Sequence, residues 1–234
     1  MLIKLIQWNV WFKEKPENIA DFLKEADADI ICAQELIKDS RINLDVAKYV
    51  AEKLGFEYYY HDGDTWDNRP DKEAQGNAIF SRYPIVDSHY FYVQQPKHNP
   101  IDSSHEGRVY IEVVIKIGDK EVTVGTTHLS NSDQFMITAE RKNEIDILSD
   151  ILKEREDNYI FTGDLNSLPD SYTIFQIDKI LSRSGPAYDQ KSKKNGLNHR
   201  LDYIYNSNDI NIIDSKILEC PYSDHLPVQI RFKF

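Results

Sequence analysis

The sequence has few of the features that mark secreted, membrane-spanning or strongly nucleic-acid-binding proteins. Only two of its 234 residues are cysteines, and Cys32 lies in the apolar run DIICAQ, which is typical of a buried free thiol. No stretch approaches the ~18 uncharged apolar residues of a membrane-spanning helix. The apolar N-terminal segment is interrupted by Asn9 and has no small-residue cleavage site, so we expect no signal peptide. These absences predict a soluble protein in the reducing cytoplasm.

Basic charge is also scarce. Lys and Arg number 28 against 39 Asp and Glu, which gives a formal net charge of −11. Because binding a phosphate backbone requires a basic surface, this argues against a protein that simply grips nucleic acid, although a metal could supply positive charge to an enzyme that acts on phosphates. The one compact basic run, KSKKN at 191–195, is interpreted as a solvated loop that could touch a polyanion. Arg141 is expected to face either solvent or a cleft.

Three common catalytic signatures are missing too. The chain has no G-x-S-x-G nucleophile elbow, no G-x-x-x-x-G-K-[ST] phosphate loop and no G-x-G-x-x-G motif. The acidic stretch at 61–73 matches a calcium-binding loop only in part, because Trp66 and Asp67 occupy its ligand and glycine positions. We therefore interpret this stretch as a solvated loop. Trp66 and the tyrosines at 58–60 are expected either in the core or beside a cleft.

Apolar residues are sufficient for a sizeable core, at 41% hydrophobic and 12% aromatic content. No repeat, low-complexity segment or Ser/Gly-rich linker divides the chain, so we predict a single domain over 1–234. Helices are predicted from Pro16, over 43–55 and over 135–153, and strands at 2–9, 28–35, 56–60, 76–83, 88–94, 107–118, 120–130, 158–163, 201–206, 210–219 and 226–232. Strands in two batches with helices between them favour two sheets covered by helices over a purely parallel fold.

Polar side chains recur where the predicted strands begin or end. They are Asn9, Glu35, His128 and Asp164 at strand ends, Asp202 at a strand start, and Asn166, Asp224 and His225 just outside strands. Each alone is ordinary, because Asn and Asp are common turn residues and a lone His is usually structural. If the strands share one sheet, however, their ends share one rim. These side chains would then converge on one cleft.

Such a group of carboxylates, carboxamides and imidazoles permits a narrow range of chemistry. Oxygen ligands suit a hard cation such as Mg²⁺ or Mn²⁺ better than zinc, and the cation would relieve repulsion between the carboxylates. Hydrolysis of a metal-bound phosphate needs a base for the water, which a carboxylate can be. It also needs amide, imidazole or guanidinium donors for the developing charge. The residues therefore favour hydrolysis of phosphate esters.

The motifs also occur in a familiar order. QWN, AQE, GNAIFSRYPI, GR, TTHLS, GDLNS, RLDYIY and SDHLPV follow one another along nearly the whole chain, from Asn9 to Val228. This ordered set resembles the endonuclease/exonuclease/phosphatase superfamily with the deoxyribonuclease-I-like fold. The resemblance implies an α/β fold built as a four-layered sandwich, in which two packed mixed β-sheets are flanked by helices. It also implies an enzyme, a metal-dependent hydrolase acting on phosphoric ester bonds.

The resemblance implies roles for nine residues. Those at the metal are Asn9 and Glu35, with Glu35 the direct Mg²⁺ ligand, and Asp224 nearby. Those at the phosphate are Asp164 to orient or deprotonate the attacking water, Asn166 to hold the pentacovalent phosphate, His225 to face the phosphoryl oxygens, and Asp202 to orient an imidazole. His128 matches a second imidazole found in the deoxyribonuclease-I and sphingomyelinase branches. Arg108 matches a position that either contacts phosphate or is structural.

The resemblance leaves the substrate open, because branches of the family cleave DNA, RNA tails, 5′-tyrosyl adducts, sphingomyelin or inositol phosphates. The compact length and the lack of a membrane span argue mildly against a membrane lipid. We therefore expect a phosphodiester of nucleic acid or nucleotides and no obligate protein partner. A phosphoesterase for lipid or inositol phosphate headgroups is the alternative. An inactive binding module is a remote one, since none of Glu35, Asp164, Asn166 and His225 is lost.

Overall fold

The structure, a computed structural model, describes residues 1–67, 69–100, 102, 105–155, 157–185 and 199–233, and the basic run at 191–195 lies outside them. Its strands are β1 (Ile3–Asn9), β2 (Ile30–Asp39), β3 (Leu44–Asp45), β4 (Glu57–Thr65), β5 (Ala74–Ser81), β6 (Ile85–Gln94), β7 (Arg108–Ile117), β8 (Lys120–His128), β9 (Tyr159–Asp164), β10 (Ser182–Ser184), β11 (Asp202–Asn206), β12 (Asn211–Ile217) and β13 (Val228–Lys233). Its α-helices are α1 (Pro16–Ala26), α2 (Val46–Leu54), α3 (Ala139–Lys153) and α4 (Tyr172–Ile177). In the described ranges, no helix has the length and apolarity needed to cross a membrane.

The strands of the described residues form two mixed sheets. The first sheet has the order β12-β13-β1-β2-β5-β4, with β3 beside β2. In it β1 is parallel to β2 and antiparallel to β13. The second sheet has the order β10-β11-β9-β8-β7-β6, and its central strands β8 and β9 are parallel. Neighbouring parallel and antiparallel pairs thus occur in both sheets.

Three apolar cores arrange the sheets and helices in four layers. One core lies between the two sheets and includes Leu5 of β1 and Val124 of β8. A second core packs Leu23 of α1 and Val50 of α2 on the outer face of the first sheet. The third packs α3, through Leu148, and α4 on the outer face of the second sheet. The prediction of two packed mixed sheets flanked by helices is confirmed.

Local sequence determines where the longer helices begin and end. The Asp45 side chain caps α2 by accepting the backbone N–H of Lys48 at 2.9 Å. Gly55 ends this helix with a φ of 69°, a left-handed conformation that glycine adopts without strain. Thr138 caps α3, and its hydroxyl accepts the backbone N–H of Arg141 at 3.1 Å. The helix predicted over 135–153 therefore begins only at Ala139.

Other predicted boundaries are wrong. The acidic stretch interpreted as a solvated loop continues β4 as far as Thr65, and Asp64 is buried there and accepts the backbone N–H of Lys97 at 3.2 Å. Trp66, which follows, is buried as well. The strand predicted to end at Glu35 runs on to Asp39. The short elements β3, β10 and α4 were not predicted, because so few residues show no clear periodicity.

One buried ion pair holds α3 against the ends of the second sheet's strands. Arg141 is only 2% exposed, and its Nη1 donates to the carbonyl oxygens of Leu165 (2.8 Å) and Asn166 (3.3 Å). Its Nε lies 3.2 Å from Oε2 of Glu144, which also accepts the backbone N–H of Ser130 at 3.2 Å. The expectation that Arg141 faces solvent or a cleft is wrong, because its guanidinium supplies partners to buried carbonyls. The pair ties together the segments that follow β8 and β9.

We expect Arg141→Met to destabilise the protein by about 3–5 kcal/mol, because Glu144 would be left as a buried charge without its partner. Adding Glu144→Leu should recover part of the loss, since the double variant buries no unpaired charge. Urea unfolding followed by circular dichroism measures the free energy of unfolding, with the exposed neighbour Lys142→Met as the control. Equal stabilities of wild type and Arg141→Met would contradict the assigned role.

Candidate active site

The faces of the two sheets that meet each other change from apolar to polar toward one edge. Alternate residues of a strand share a face. The facing residues read Ile3-Leu5-Gln7-Asn9 on β1, Val122-Val124-Thr126-His128 on β8 and Ile160-Thr162-Asp164 on β9, and their apolar members lie in the core between the sheets. Asn9, His128 and Asp164 are therefore the polar ends of faces that are apolar deeper in the molecule.

Strand pairing then places the predicted residues side by side. In the second sheet, Asp164 pairs with His128 on one side and with Asp202 on the other. From the first sheet, Asn9 donates its Nδ2 to Oδ2 of Asp164 at 2.9 Å and to Oε1 of Glu35 at 3.1 Å. Asn9 therefore connects residues contributed by the two sheets. The predicted convergence occurs between two sheets and not along the rim of one.

A buried layer of polar side chains crosses between the sheets beneath these residues. Gln34 donates to Oε1 of Gln7 at 3.0 Å and to Oγ1 of Thr126 at 2.9 Å. Thr162 also donates to Oγ1 of Thr126, at 2.9 Å, and Gln7 donates to Oδ1 of Asp202 at 3.2 Å. Because buried polar groups without partners are costly, this layer favours a single alignment of the two sheets.

Glu35 reaches the site through an irregularity in β2. The pairing of β2 with β5 shifts register between Ala33 and Leu36, and Glu35 has a φ of 64°, which is unusual for a residue with a side chain. Its carboxylate lines the cleft, and Oε2 accepts the backbone N–H of Phe12 at 3.0 Å. The bulge thus turns a residue in the middle of a strand toward the site. Because of the bulge, β2 can continue beyond Glu35 to Asp39.

The turn after β9 presents Asn166 to the same cleft. Leu165 is buried in the core beneath α3 and α4, whereas Asn166 takes a φ of 44°. The backbone N–H of Asn166 donates to Oδ1 of Asp164 at 3.0 Å. Its side-chain Nδ2 donates to the carbonyl oxygen of Leu129 at 3.0 Å and lies 3.1 Å from Nε2 of His128. Asp164 and Asn166 therefore face one cleft together.

His225 lies between two carboxylates. Its Nδ1 is 2.7 Å from Oδ2 of Asp202, and its Nε2 is 3.7 Å from Oδ2 of Asp164. The hydroxyl of Ser223 fixes the backbone here, since it accepts the N–H of His225 at 3.0 Å and donates to the carbonyl oxygen of Asn9 at 2.7 Å. Burial alone would lower the pKa of His225, but the charges of Asp202 and Asp164 outweigh it and raise that pKa. His225 is therefore an imidazolium at neutral pH.

Burial also shifts the pKa values of His128 and Asp164. Burial, together with the charge of Arg108, lowers the pKa of His128 well below its ordinary value, so this ring is neutral. A neutral ring can accept the amide hydrogen of Asn166 at Nε2. Burial raises the pKa of Asp164, although the charge of His225 opposes the shift. The site thus combines one charged imidazole, one neutral imidazole and an Asp that is more basic than usual.

These side chains open onto a cleft of about 700 Å³, counting its solvent-open mouth. Seven of the nine predicted site residues line it, namely Glu35, Arg108, His128, Asp164, Asn166, Asp224 and His225. Asn9 and Asp202 lie behind this lining and contact it from within. Arg108 is 6% exposed, and its Nη2 lies 3.0 Å from Oε2 of Glu106.

The described residues offer two places for a divalent cation. Asp164, Asp202 and His225 bring potential ligand atoms within 4.8 Å of one another, but there the imidazolium already compensates the carboxylates. Glu35 fits a cation better, because its carboxylate is partly exposed on the cleft that Asp224 also lines. Asn9 turns its amide nitrogen toward Glu35, so in this arrangement it orients the carboxylate.

The sequence interpretation missed the residues that support the site. These are Gln7, Gln34, Thr126 and Thr162 in the polar layer, and Ser223 before His225. A signal was present, since Gln7 and Thr162 occupy alternate positions between an apolar residue and a predicted site residue on the same strand. Ser223 and Arg141 had no such signal, because their partners are backbone groups distant in sequence.

Comparison with solved structures agrees with the fold. An endonuclease/exonuclease/phosphatase from Beutenbergia cavernae superimposes with a TM-score of 0.83 at 16% identity, covering 100% of this chain and 72% of that one. A mannosyl-6-phosphatase from Bacteroides thetaiotaomicron gives a TM-score of 0.73 at 18% identity, with 99% and 100% of the two chains covered. The human Nocturnin catalytic domain gives 0.72 at 20% identity, with 100% and 94% covered. At these identities the likeness shows the fold alone.

Sequence comparison adds the family. No curated protein matches this chain in sequence. The model of the endonuclease/exonuclease/phosphatase family, in contrast, matches residues 6–225, which include the strands and loops that carry the cleft residues. The chain therefore belongs to the endonuclease/exonuclease/phosphatase family, whose members hydrolyse phosphoester bonds.

Proposed function

We propose that this protein is a Mg²⁺-dependent phosphodiesterase that hydrolyses esters of nucleic acid or nucleotides with a water activated by Asp164. The position of Asp164 carries the proposal. Its carboxylate is buried in the cleft wall, 2.9 Å from the amide of Asn9 and 3.7 Å from the imidazolium of His225. A base held in this way beside the partly exposed Glu35 suits hydrolysis of a phosphate ester.

Asp164 has the surroundings that a base for water requires. Its Oδ1 accepts the backbone N–H of Asn166, and its Oδ2 accepts the amide of Asn9, so the carboxylate is held in one orientation. Because burial raises its pKa, Asp164 takes up a proton more readily than an exposed aspartate does. The water gives its proton to this carboxylate as its oxygen bonds to phosphorus and the P–O bond to the leaving group breaks, and the leaving oxygen takes up a proton from solvent.

Hydrogen-bond donors near Asp164 would stabilise the charge that develops on the phosphoryl oxygens. The imidazolium of His225 is oriented by Asp202, and its Nε2 lies on the Asp164 side of the ring. Asn166 keeps its bond to Leu129 and exchanges its contact with His128 for a phosphoryl oxygen, which is the stronger acceptor. Arg108 adds a guanidinium to the same cleft. Donors preorganised in this way act mainly on the transition state.

Glu35 would hold the divalent cation, with Asp224 on the same cleft. The amide of Asn9 (3.1 Å) and the backbone N–H of Phe12 (3.0 Å) each hold one carboxylate oxygen of Glu35, which fixes its orientation. A bound cation supplies Lewis-acid polarisation of a phosphoryl oxygen. Oxygen donors without cysteine favour Mg²⁺, with Mn²⁺ as a substitute.

The Asp164→Asn variant should lose roughly 10²–10⁴-fold of the phosphodiesterase rate, which is the usual contribution of a general base. The measurement is release of p-nitrophenol from bis(p-nitrophenyl) phosphate with Mg²⁺ and after chelation. Asp170→Asn, an exposed aspartate a few residues further along the chain, is the matched control and should keep the wild-type rate. Equal rates for wild type and Asp164→Asn would refute the role of Asp164.

The Glu35→Gln variant should bind Mn²⁺ more weakly by more than roughly tenfold, because even a supporting contact of a metal site contributes about that much. Isothermal titration calorimetry on the folded protein reads this directly and does not depend on turnover. Glu121→Gln, on the exposed start of β8, controls for the loss of one charge. Unchanged affinity in Glu35→Gln would place the cation elsewhere, with the Asp164 and Asp202 carboxylates as the next candidates.

The imidazole of His225 should stay protonated at a pH where ordinary histidines are neutral, because Asp202 and Asp164 favour its charged form. NMR titration of the metal-free protein should show one histidine titrating above the others. In Asp202→Asn the pKa of that histidine should fall, since the contact at 2.7 Å loses its charge. If no histidine titrates above the usual range, the imidazolium assigned to His225 is wrong.

A further inference from the structure

Lys72 is a buried lysine on the wall of the cleft, and the proposed mechanism does not use it. It is only 3% exposed, yet it lines the same cleft as Glu35 and Asp164. Its Nζ lies 4.4 Å from the ring centroid of Phe12 and 4.3 Å from that of Trp66, and it donates to Oε1 of Gln75. The ammonium is therefore held between two aromatic rings at the edge of the site.

No described carboxylate forms an ion pair with Lys72, which is unusual for a cation so well buried. The neighbouring arginines differ, because Arg108 is paired with Glu106 and Arg69 with Asp71. Burial lowers the pKa of Lys72 to about 8, so it still carries its charge at neutral pH. A charge buried without a carboxylate partner in a phosphate cleft is suited to an anion that arrives with the substrate.

The same geometry argues against one class of substrate. Two aromatic rings around a cation form the arrangement by which proteins recognise quaternary ammonium groups such as choline. Here the protein's own ammonium already occupies the space between Phe12 and Trp66. A choline headgroup would have to displace Lys72 or approach its positive charge. The wall therefore disfavours a phosphocholine substrate and favours a negatively charged one.

We propose that Lys72, positioned by Phe12 and Trp66, forms a subsite for a second phosphate group of the substrate, next to the phosphate that is hydrolysed. This inference rests on the proposed function and narrows it. The substrate is a phosphodiester that carries a further phosphate, as a nucleic-acid chain or a phosphorylated nucleotide does, and not a choline-bearing lipid. Lys72 binds this group by charge-assisted hydrogen bonds and takes no part in bond making.

Three p-nitrophenyl esters that share a leaving group test the subsite. They are the p-nitrophenyl ester of thymidine 5′-phosphate, the same ester with an added 3′-phosphate, and p-nitrophenyl phosphorylcholine. We expect the highest kcat/KM for the 3′-phosphorylated ester and the lowest for the choline ester. Added salt should also lower kcat/KM more steeply for the 3′-phosphorylated ester than for the other two esters, because this ester is bound through one more charge. A wild-type protein that prefers the choline ester would overturn the proposal.

Variants at Lys72 separate recognition from general damage. In Lys72→Met the kcat/KM ratio of the 3′-phosphorylated to the plain ester should fall about tenfold or more, since a hydrogen bond to a charged group is lost. Lys72→Arg keeps the charge and should restore much of the ratio. The control is Lys179→Met, an exposed lysine whose Nζ also lies over an aromatic ring, 4.3 Å from Phe175, but outside the cleft. A ratio unchanged in Lys72→Met would refute the subsite, whatever happens to the absolute rates.

A binding measurement keeps this test separate from that of the proposed function. Isothermal titration compares thymidine 3′,5′-bisphosphate with thymidine 5′-monophosphate on wild type and on Lys72→Met. If the bisphosphate binds more tightly than the monophosphate to wild type but not to Lys72→Met, the subsite is supported. This holds even if none of the esters is hydrolysed, because the lack of hydrolysis would refute only the phosphodiesterase proposal. Equal affinities of wild type and Lys72→Met for the bisphosphate would remove the subsite and leave the hydrolysis proposal standing.

Discussion

The alignment of the two sheets on one another is the constraint on which the whole site depends. Asn9 and Glu35 belong to one sheet and His128, Asp164 and Asp202 to the other, so a shift between the sheets would separate the proposed cation ligand, Glu35, from the proposed base, Asp164. Apolar packing alone tolerates such shifts, because it is not directional. The buried bonds from Gln34 to Thr126 and from Gln7 to Asp202 join the two sheets and are directional, so both would be lost on sliding. Polar residues between the sheets thus specify the alignment of the two sheets, which apolar packing alone does not determine.

Two histidines in one cleft are held in opposite protonation states by their neighbours. His225 sits between carboxylates and is charged, whereas His128 is buried near Arg108 and is neutral. A charged ring can only donate hydrogen bonds, and a neutral ring can also accept them. The first therefore suits a phosphoryl oxygen, and the second suits the amide of Asn166. The two histidines therefore differ in hydrogen-bonding capacity because their surroundings differ.

Much of the fold could be predicted from sequence because its strands and longer helices are strongly periodic. All nine candidate site residues lie in or directly behind one cleft. They could be predicted because polar residues at the ends of apolar strands can be recognised in the sequence. The path of Glu35 into that cleft could not be predicted, because a bulge depends on pairing with β5. Arg141 and Lys72 were also beyond reach. A single buried charged residue leaves no periodic pattern in the sequence. The partners of Arg141 are backbone carbonyls and those of Lys72 are aromatic rings, and only folding brings them close.

The position of β1 has a consequence for the order in which the molecule can be assembled. This strand carries Gln7 and Asn9, and it lies between β2 and β13, the first and last strands available to pair with it. Its antiparallel partner is synthesised more than 200 residues later, together with the His225 loop. During synthesis β1 has one free edge, and Asp164 is made before its neighbour His225 exists. The cleft would then be completed in one step, when β13 pairs with β1.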